Sequence, residues 1–188
     1  MNFSFQINKA VEAASEFIQR SGGSINIMKL VKLIYLLDRL SLDQRGFPVV
    51  GGSYFSMTNG PVTSEILDLI NYGRLRDVPS TIWEKSISDR INHEIKLVDH
   101  FPPRESLSDA EIKLIDQIWS VHGPKNQWEL VEWCHSNCKE WTRLQKGCLS
   151  IGVENIAEAL GKSPEAKKKL ITEASELNML DELFEHAS

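Results

Sequence analysis

The chain has 188 residues, 41% hydrophobic and 25% charged, with a formal net charge of −5. These fractions belong to a soluble globular protein, and the acidic balance argues against nucleic acid, whose binding draws its strength from cations on phosphates. Met1-Asn2-Phe3-Ser4-Phe5 lacks the cationic flank and apolar core of a signal peptide, and three cysteines make no disulfide framework, which points to a reducing cytoplasm.

Ile7, Ala10, Val11, Ala14, Phe17 and Ile18 recur at helical spacing and predict a helix over 6–20, ended by Ser21-Gly22-Gly23. A second helix is expected over 26–44. Its Ile27, Leu30, Val31, Leu33, Ile34, Leu37 and Leu40 cover well over half the circumference, and Lys29, Lys32, Arg39 and Asp43 share one narrow strip. Such a helix runs through the middle of a domain, each buried side chain contributing roughly 1.5–3 kcal/mol before chain entropy. Its charges and length rule out a membrane span. Gly46 and Pro48 stop it.

Residues 49–57 read as an irregular or short extended piece around Gly51-Gly52. Gly60-Pro61 reads as the start of a helix that buries Val62, Ile66, Leu69 and Ile70 and ends at Gly73. Residues 81–87 and 94–98, rich in β-branched side chains and separated by turn residues, read as a β-hairpin. Phe101-Pro102-Pro103 reads as a rigid connector.

Ser108 with Glu111 forms a capping-box pattern, and Leu107 with Ile112 a hydrophobic staple, for a helix reaching His122. Asn126 with Glu129 repeats the box for a helix to His135, and Ser163-Pro164 opens a last helix using Ala166, Leu170, Ala174 and Leu177. The expected fold is α+β and mostly helical: a compact bundle around one central buried helix with a small β-hairpin or sheet.

Lys29-Leu30-Val31-Lys32-Leu33-Ile34-Tyr35, then Gly46, Tyr54-Phe55, Gly60-Pro61-Val62, Leu130, His135 and Trp141 stand in an order that resembles the SocA-like, or Panacea, antitoxin family. One departure is Glu140, where the family often carries proline before the tryptophan. The resemblance implies a domain over 1–150, with 151–188 a helical extension packed on it or trailing. It implies a non-enzymatic antitoxin that binds a cognate toxin protein encoded beside it, some members also acting as adaptors to an AAA+ protease. Too few residues precede Gln6 for an N-terminal helix-turn-helix.

The chemical alternatives are weaker. Cys134, Cys138, Cys148 and His122 could offer zinc four ligands, but only one loose cysteine pair is present, and Cys134 falls on the apolar stripe with Leu130 and Val131. A structural core cysteine is the simpler reading, and no metal or other cofactor is expected. His135, adjacent to Cys134, points to another side of the helix and does not activate it; a role within the fold suits it better. No P-loop, nucleophile elbow or zincin motif appears, which disfavours a small hydrolase or nuclease, and the charge disfavours a phage DNA-binding regulator.

Five residues are candidates for partner binding: Lys32, Arg39, Tyr54, Asn59 and Trp83. Lys32 and Arg39 sit on a mostly buried helix, so their strip must reach solvent, a partner or an internal carboxylate. Tyr54 and Asn59 lie in an irregular segment between glycines, where binding residues concentrate. Trp83 and Trp128 are expected at the surface, where aromatic anchors dominate interface energy, and Trp119 and Trp133 in the core.

Overall fold

The computed structural model describes residues 2–75, 78–79, 81–98 and 104–186, with backbone alone for 78–79 and 180–186. The elements run α1 (Ile7–Arg20), β1 (Ser24–Asn26), α2 (Ile27–Arg45), β2 (Tyr54–Met57), β3 (Gly60–Thr63), α3 (Ser64–Tyr72), β4 (Arg74–Leu75), β5 (Val78–Pro79), α4 (Thr81–Ser86), β6 (Glu94–Lys96), α5 (Asp109–His122), α6 (Gln127–Asn137), β7 (Leu149–Ile151), α7 (Val153–Ala159) and α8 (Pro164–His186). The fold is mostly helical α+β, as expected. The connector at 101–103 lies outside the described residues.

Helix α2 is the axis. Leu30, Leu33, Ile34, Tyr35 and Leu37 are fully buried, and α1, α5, α6 and β3 pack around it. Asn26 caps it by accepting from the backbone N–H groups of Met28 and Lys29, and Gly46 ends it in the left-handed conformation. Both expected capping boxes are formed, by Ser108 with Glu111 and by Asn126 with Glu129.

Two expectations are corrected. Gly60-Pro61 does not open a helix. It begins β3, which pairs antiparallel with β2 across the two-residue turn Thr58-Asn59, and α3 starts only at Ser64. The reason lies in ladder alternation. Met57 and Gly60 close the hairpin, so Ser56 opposite Pro61 is a non-hydrogen-bonded pair whose peptide groups point away from the partner strand. Proline's missing donor is therefore harmless there, and β3 lies at the edge of the sheet ordered β3-β2-β7.

The second correction concerns 81–98. Thr81–Ser86 is a helix, α4, and Glu94–Lys96 pairs with β1, with Ile25 opposite Ile95. Only an isolated bridge, Ile87 to Leu97, joins the two expected strands. The buried positions Trp83, Ser86 and Ile87 follow i, i+3, i+4 spacing, which is helical. The tight turn instead sits at Asn92-His93. Both have positive φ, 51° and 70°, and Ile91 and Glu94 exchange backbone hydrogen bonds around them, as a type I′ turn requires.

Residues 149–159 form β7 and α7, which the sequence pattern left unassigned. Strand β7 pairs with β2 on the side opposite β3, and Ile151, Val153 and Ile156 join the core. Helix α8 packs on α7; its Leu170 and Ala174 are buried, while Leu177 is exposed.

Loops are held by buried acids. Asp38, fully buried on α2, accepts at Oδ1 from the backbone N–H of Val49 (2.8 Å) and Val50 (2.7 Å), and at Oδ2 from Gly51 N–H (2.9 Å) and the Tyr54 hydroxyl (2.9 Å). The N-terminal segment docks on this loop: Gln6 N–H donates to Val50 O and Gly52 N–H to Phe3 O. Gly51 has φ +71°, and a Cβ there would overlap the Ser4 carbonyl. On α1, Glu12 accepts from the backbone N–H groups of Glu105, Ser106 and Leu107 and orders the entry to α5.

Asp38→Ala orphans three buried backbone donors at about 1–3 kcal/mol each. The expected loss is at least about 3 kcal/mol, seen as a Tm lower by roughly 6–12 °C. Melting like the unaltered chain would show that 49–51 finds other acceptors.

Candidate functional site

A cleft of about 660 Å³ opens between the start of α2, the β2–β3 turn, the Asn92-His93 turn and the start of α6. Its size lies within the range of ordinary ligand sites, about 300–1,000 Å³. Ile27, Met28, Val31, Met57, Val62 and Leu67 give it apolar walls. Asn59, Arg90, His93 and Trp128 stand exposed at its rim, Trp128 at 57%. The two methionines supply an adaptable surface.

Lys32 forms part of this cleft and is itself only 1% exposed. Its Nζ donates to Pro61 O at 2.8 Å. That carbonyl belongs to the peptide that β3's alternation turns away from β2, so the lysine supplies the acceptor's missing partner. Gly60, φ +104°, lets the chain pass the lysine: a Cβ there would lie 3.1 Å from Lys32 Cε. Lys32 makes no ion pair among the described residues, so the internal carboxylate that its burial called for is absent. Burial pushes its pKa down to about 8, with the neighbouring Cys134 and Cys138 thiols acting in the opposite direction.

The other candidates lie apart. Arg39 sits seven residues, about 10 Å, further along α2. It pairs with Glu140 at 2.7 Å, and Glu140 also accepts from the Tyr35 hydroxyl at 2.7 Å. Tyr54 is buried, donates to Asp38, and meets Tyr35 edge to face at 5.7 Å. Burial and the adjacent carboxylates raise both phenols well above their ordinary range, so both remain donors. Trp83 is 3% exposed, which corrects its expected surface position; Trp128 is exposed as expected. Lys32 and Asn59 thus share the cleft, while Arg39 and Tyr54 are tied into the scaffold and Trp83 is buried beside Ile70 and Gly73.

Trp119 and Trp133 are half-buried and pack on the core. His135 stacks on Trp141 at 4.0 Å, and Trp141 Nε1 donates to Met57 O at 2.8 Å, so α6 and the segment after it brace the β2–β3 turn from below. Cys134 on α6 and Cys138 at its C-cap are buried free thiols that share a hydrogen bond, as core cysteines; Cys148 is exposed. Among the described residues no group of three or more His, Cys, Asp or Glu could hold a metal ion.

Sequence reasoning gave no role to Asp38, Glu140, Arg90 or His93. Asp38 carried a signal, an acid in the middle of a buried helix. Arg90 and His93 reach the rim only through the β1–β6 pairing, which no local pattern reveals.

The Lys32 burial has a pH signature. Its folded pKa lies below the unfolded value near 10.5, so above about pH 8 the unfolded chain binds more protons and stability rises. The melting difference between the native chain and Lys32→Met is expected to shift in the native chain's favour from pH 7 to 10. A difference independent of pH would contradict burial of a charged lysine.

Comparison with known proteins bears on this geometry. No curated protein and no solved structure matches the chain significantly. The family model described as antitoxin SocA-like, Panacea domain, matches residues 30–142, from the first turn of α2 past Trp141. The match covers more than half of the 188 residues, and the chain belongs to the SocA-like antitoxin family of Panacea domains.

Proposed function

We propose that this protein is a non-enzymatic antitoxin that neutralises a cognate protein toxin in the cytoplasm by binding it directly. Family membership carries the reading, and the cleft supports it with apolar walls, an exposed tryptophan and a polar rim held on rigid elements. Of the five candidates, Lys32 and Asn59 contact the toxin, and Arg39, Tyr54 and Trp83 hold the scaffold that presents them. Among the described residues no helix is long and apolar enough to cross a membrane.

The test is co-expression with the product of the adjacent, growth-inhibiting gene. Restored growth, a complex that co-elutes and an unchanged toxin mass are expected. A toxin that is altered in mass, or neutralised without co-elution, would contradict direct binding and favour catalysis. An immunoblot of the toxin separates sequestration, which leaves its level constant, from delivery to an AAA+ protease, which lowers it.

A further inference from the structure

The lining of the cleft is one-sided in charge. The chain carries a net charge of −5, yet no acidic side chain among the described residues lines the cleft, while Lys32 and Arg90 do. Arg90 lies at the rim and donates to Asn71 Oδ1 at 2.7 Å, with no ion pair of its own among the described residues. Lys32 has three donors, of which Pro61 O takes one. A cation this deeply buried ordinarily has a counter-charge, and no carboxylate among the described residues pairs with Lys32.

We propose that the cleft binds an acidic segment of the toxin, an aspartate or glutamate beside a bulky apolar side chain, with the carboxylate directed to Lys32 and Arg90 and the apolar group held by Met28, Met57 and Trp128. The proposal rests on the antitoxin reading. A polyphosphate or nucleic acid fits the cleft less well. The two helix N-termini at its edge, which could bind phosphate, are already occupied: Asn26 accepts from Met28 and Lys29, and Asn126 accepts from Trp128 and Glu129. Two cations are also too few for an extended phosphate backbone. The apolar walls, in contrast, suit a side chain.

The geometry divides the work. The deep lysine fixes where the carboxylate stops, because its Nζ is itself fixed by Pro61 O. Arg90, exposed just before the type I′ turn, steers the acidic segment towards the opening. Trp128 covers the apolar side chain from the first turn of α6.

The experiment uses the full chain, the adjacent gene's product and peptides tiled across that product. Affinities are measured for the native chain and for Arg90→Glu, Trp128→Ala and Lys32→Met. Arg90→Glu and Trp128→Ala alter exposed side chains, so both are expected to melt like the native chain and to bind the toxin at least about tenfold more weakly. The bound peptide is expected to contain an acid next to a large apolar residue and to lose binding when that acid becomes an amide. If Lys32→Met fails to fold, the other two variants decide. If the native chain does not bind the toxin, the antitoxin reading fails and the proposal with it. If it binds and the rim variants bind equally well, or the captured peptide is neutral or basic, only the proposal fails. Displacement of the peptide by ATP, or a change in the oligomeric state of the free chain on rim substitution, would assign the cleft to a nucleotide or to a second copy and overturn it.

Discussion

The carboxylate of Asp38 accepts four hydrogen bonds in the middle of the domain, and most of the architecture depends on it. Three of the donors are successive backbone N–H groups of the loop after α2, so a single side chain fixes where the chain goes when its central helix ends. The fourth, the Tyr54 hydroxyl, fixes the start of β2. The N-terminal segment then docks on the ordered loop through Val50 O and Gly52 N–H. Burial pushes Asp38 up to about 6 although all four donors favour its ionised form. It shows how deep in the apolar interior the acid lies.

Helix α2 carries three polar groups of this kind, each turned to a different neighbour. Asp38 holds the loop, Arg39 with Tyr35 holds Glu140 after α6, and Lys32 holds the carbonyl of Pro61 in β3. The first two arrangements are closed, with acids and donors matched. The Lys32 arrangement is open, since the ammonium has a carbonyl but, among the described residues, no carboxylate. The cleft lies at this open end of the helix. Below it, His135 stacked on Trp141 and the indole bond to Met57 O keep the β2–β3 turn from collapsing inward.

What could be read from the sequence was local. The apolar circumference of α2, its Gly46 stop and both capping boxes depend on residues within a few positions of one another, and all are formed. Gly60-Pro61 misled because a proline after glycine opens helices and also suits an edge strand, and the choice is made by the pairing with β2. The 81–98 segment misled for a related reason. Its β-branched residues fit a strand, but the true partner of Glu94–Lys96 is three residues long and lies about 70 positions earlier. Strand β7 was equally hidden, a three-residue edge that exists only because β2 has a free side. For the site, charged residues on the buried helix were the useful signal: Lys32 marked the cleft, and Arg39 found its internal acid. Tyr54 and Trp83 looked like surface aromatics and proved to be core: Tyr54 lies in a segment too short and irregular to show its buried side, and Trp83 was placed on a strand where the chain forms the helix α4.

Amide hydrogen exchange of the chain with and without the adjacent gene's product tests the central claim most directly, that the open end of α2 is the binding face and the closed part is scaffold. Binding is expected to slow exchange at Asn26–Val31, Met57–Gly60, Arg90–His93 and Gln127–Trp128, while the Asp38-bound amides of Val49, Val50 and Gly51 are slow in both states. Protection confined to α4 or α8, or amides at 49–51 that exchange freely until the toxin binds, would contradict it.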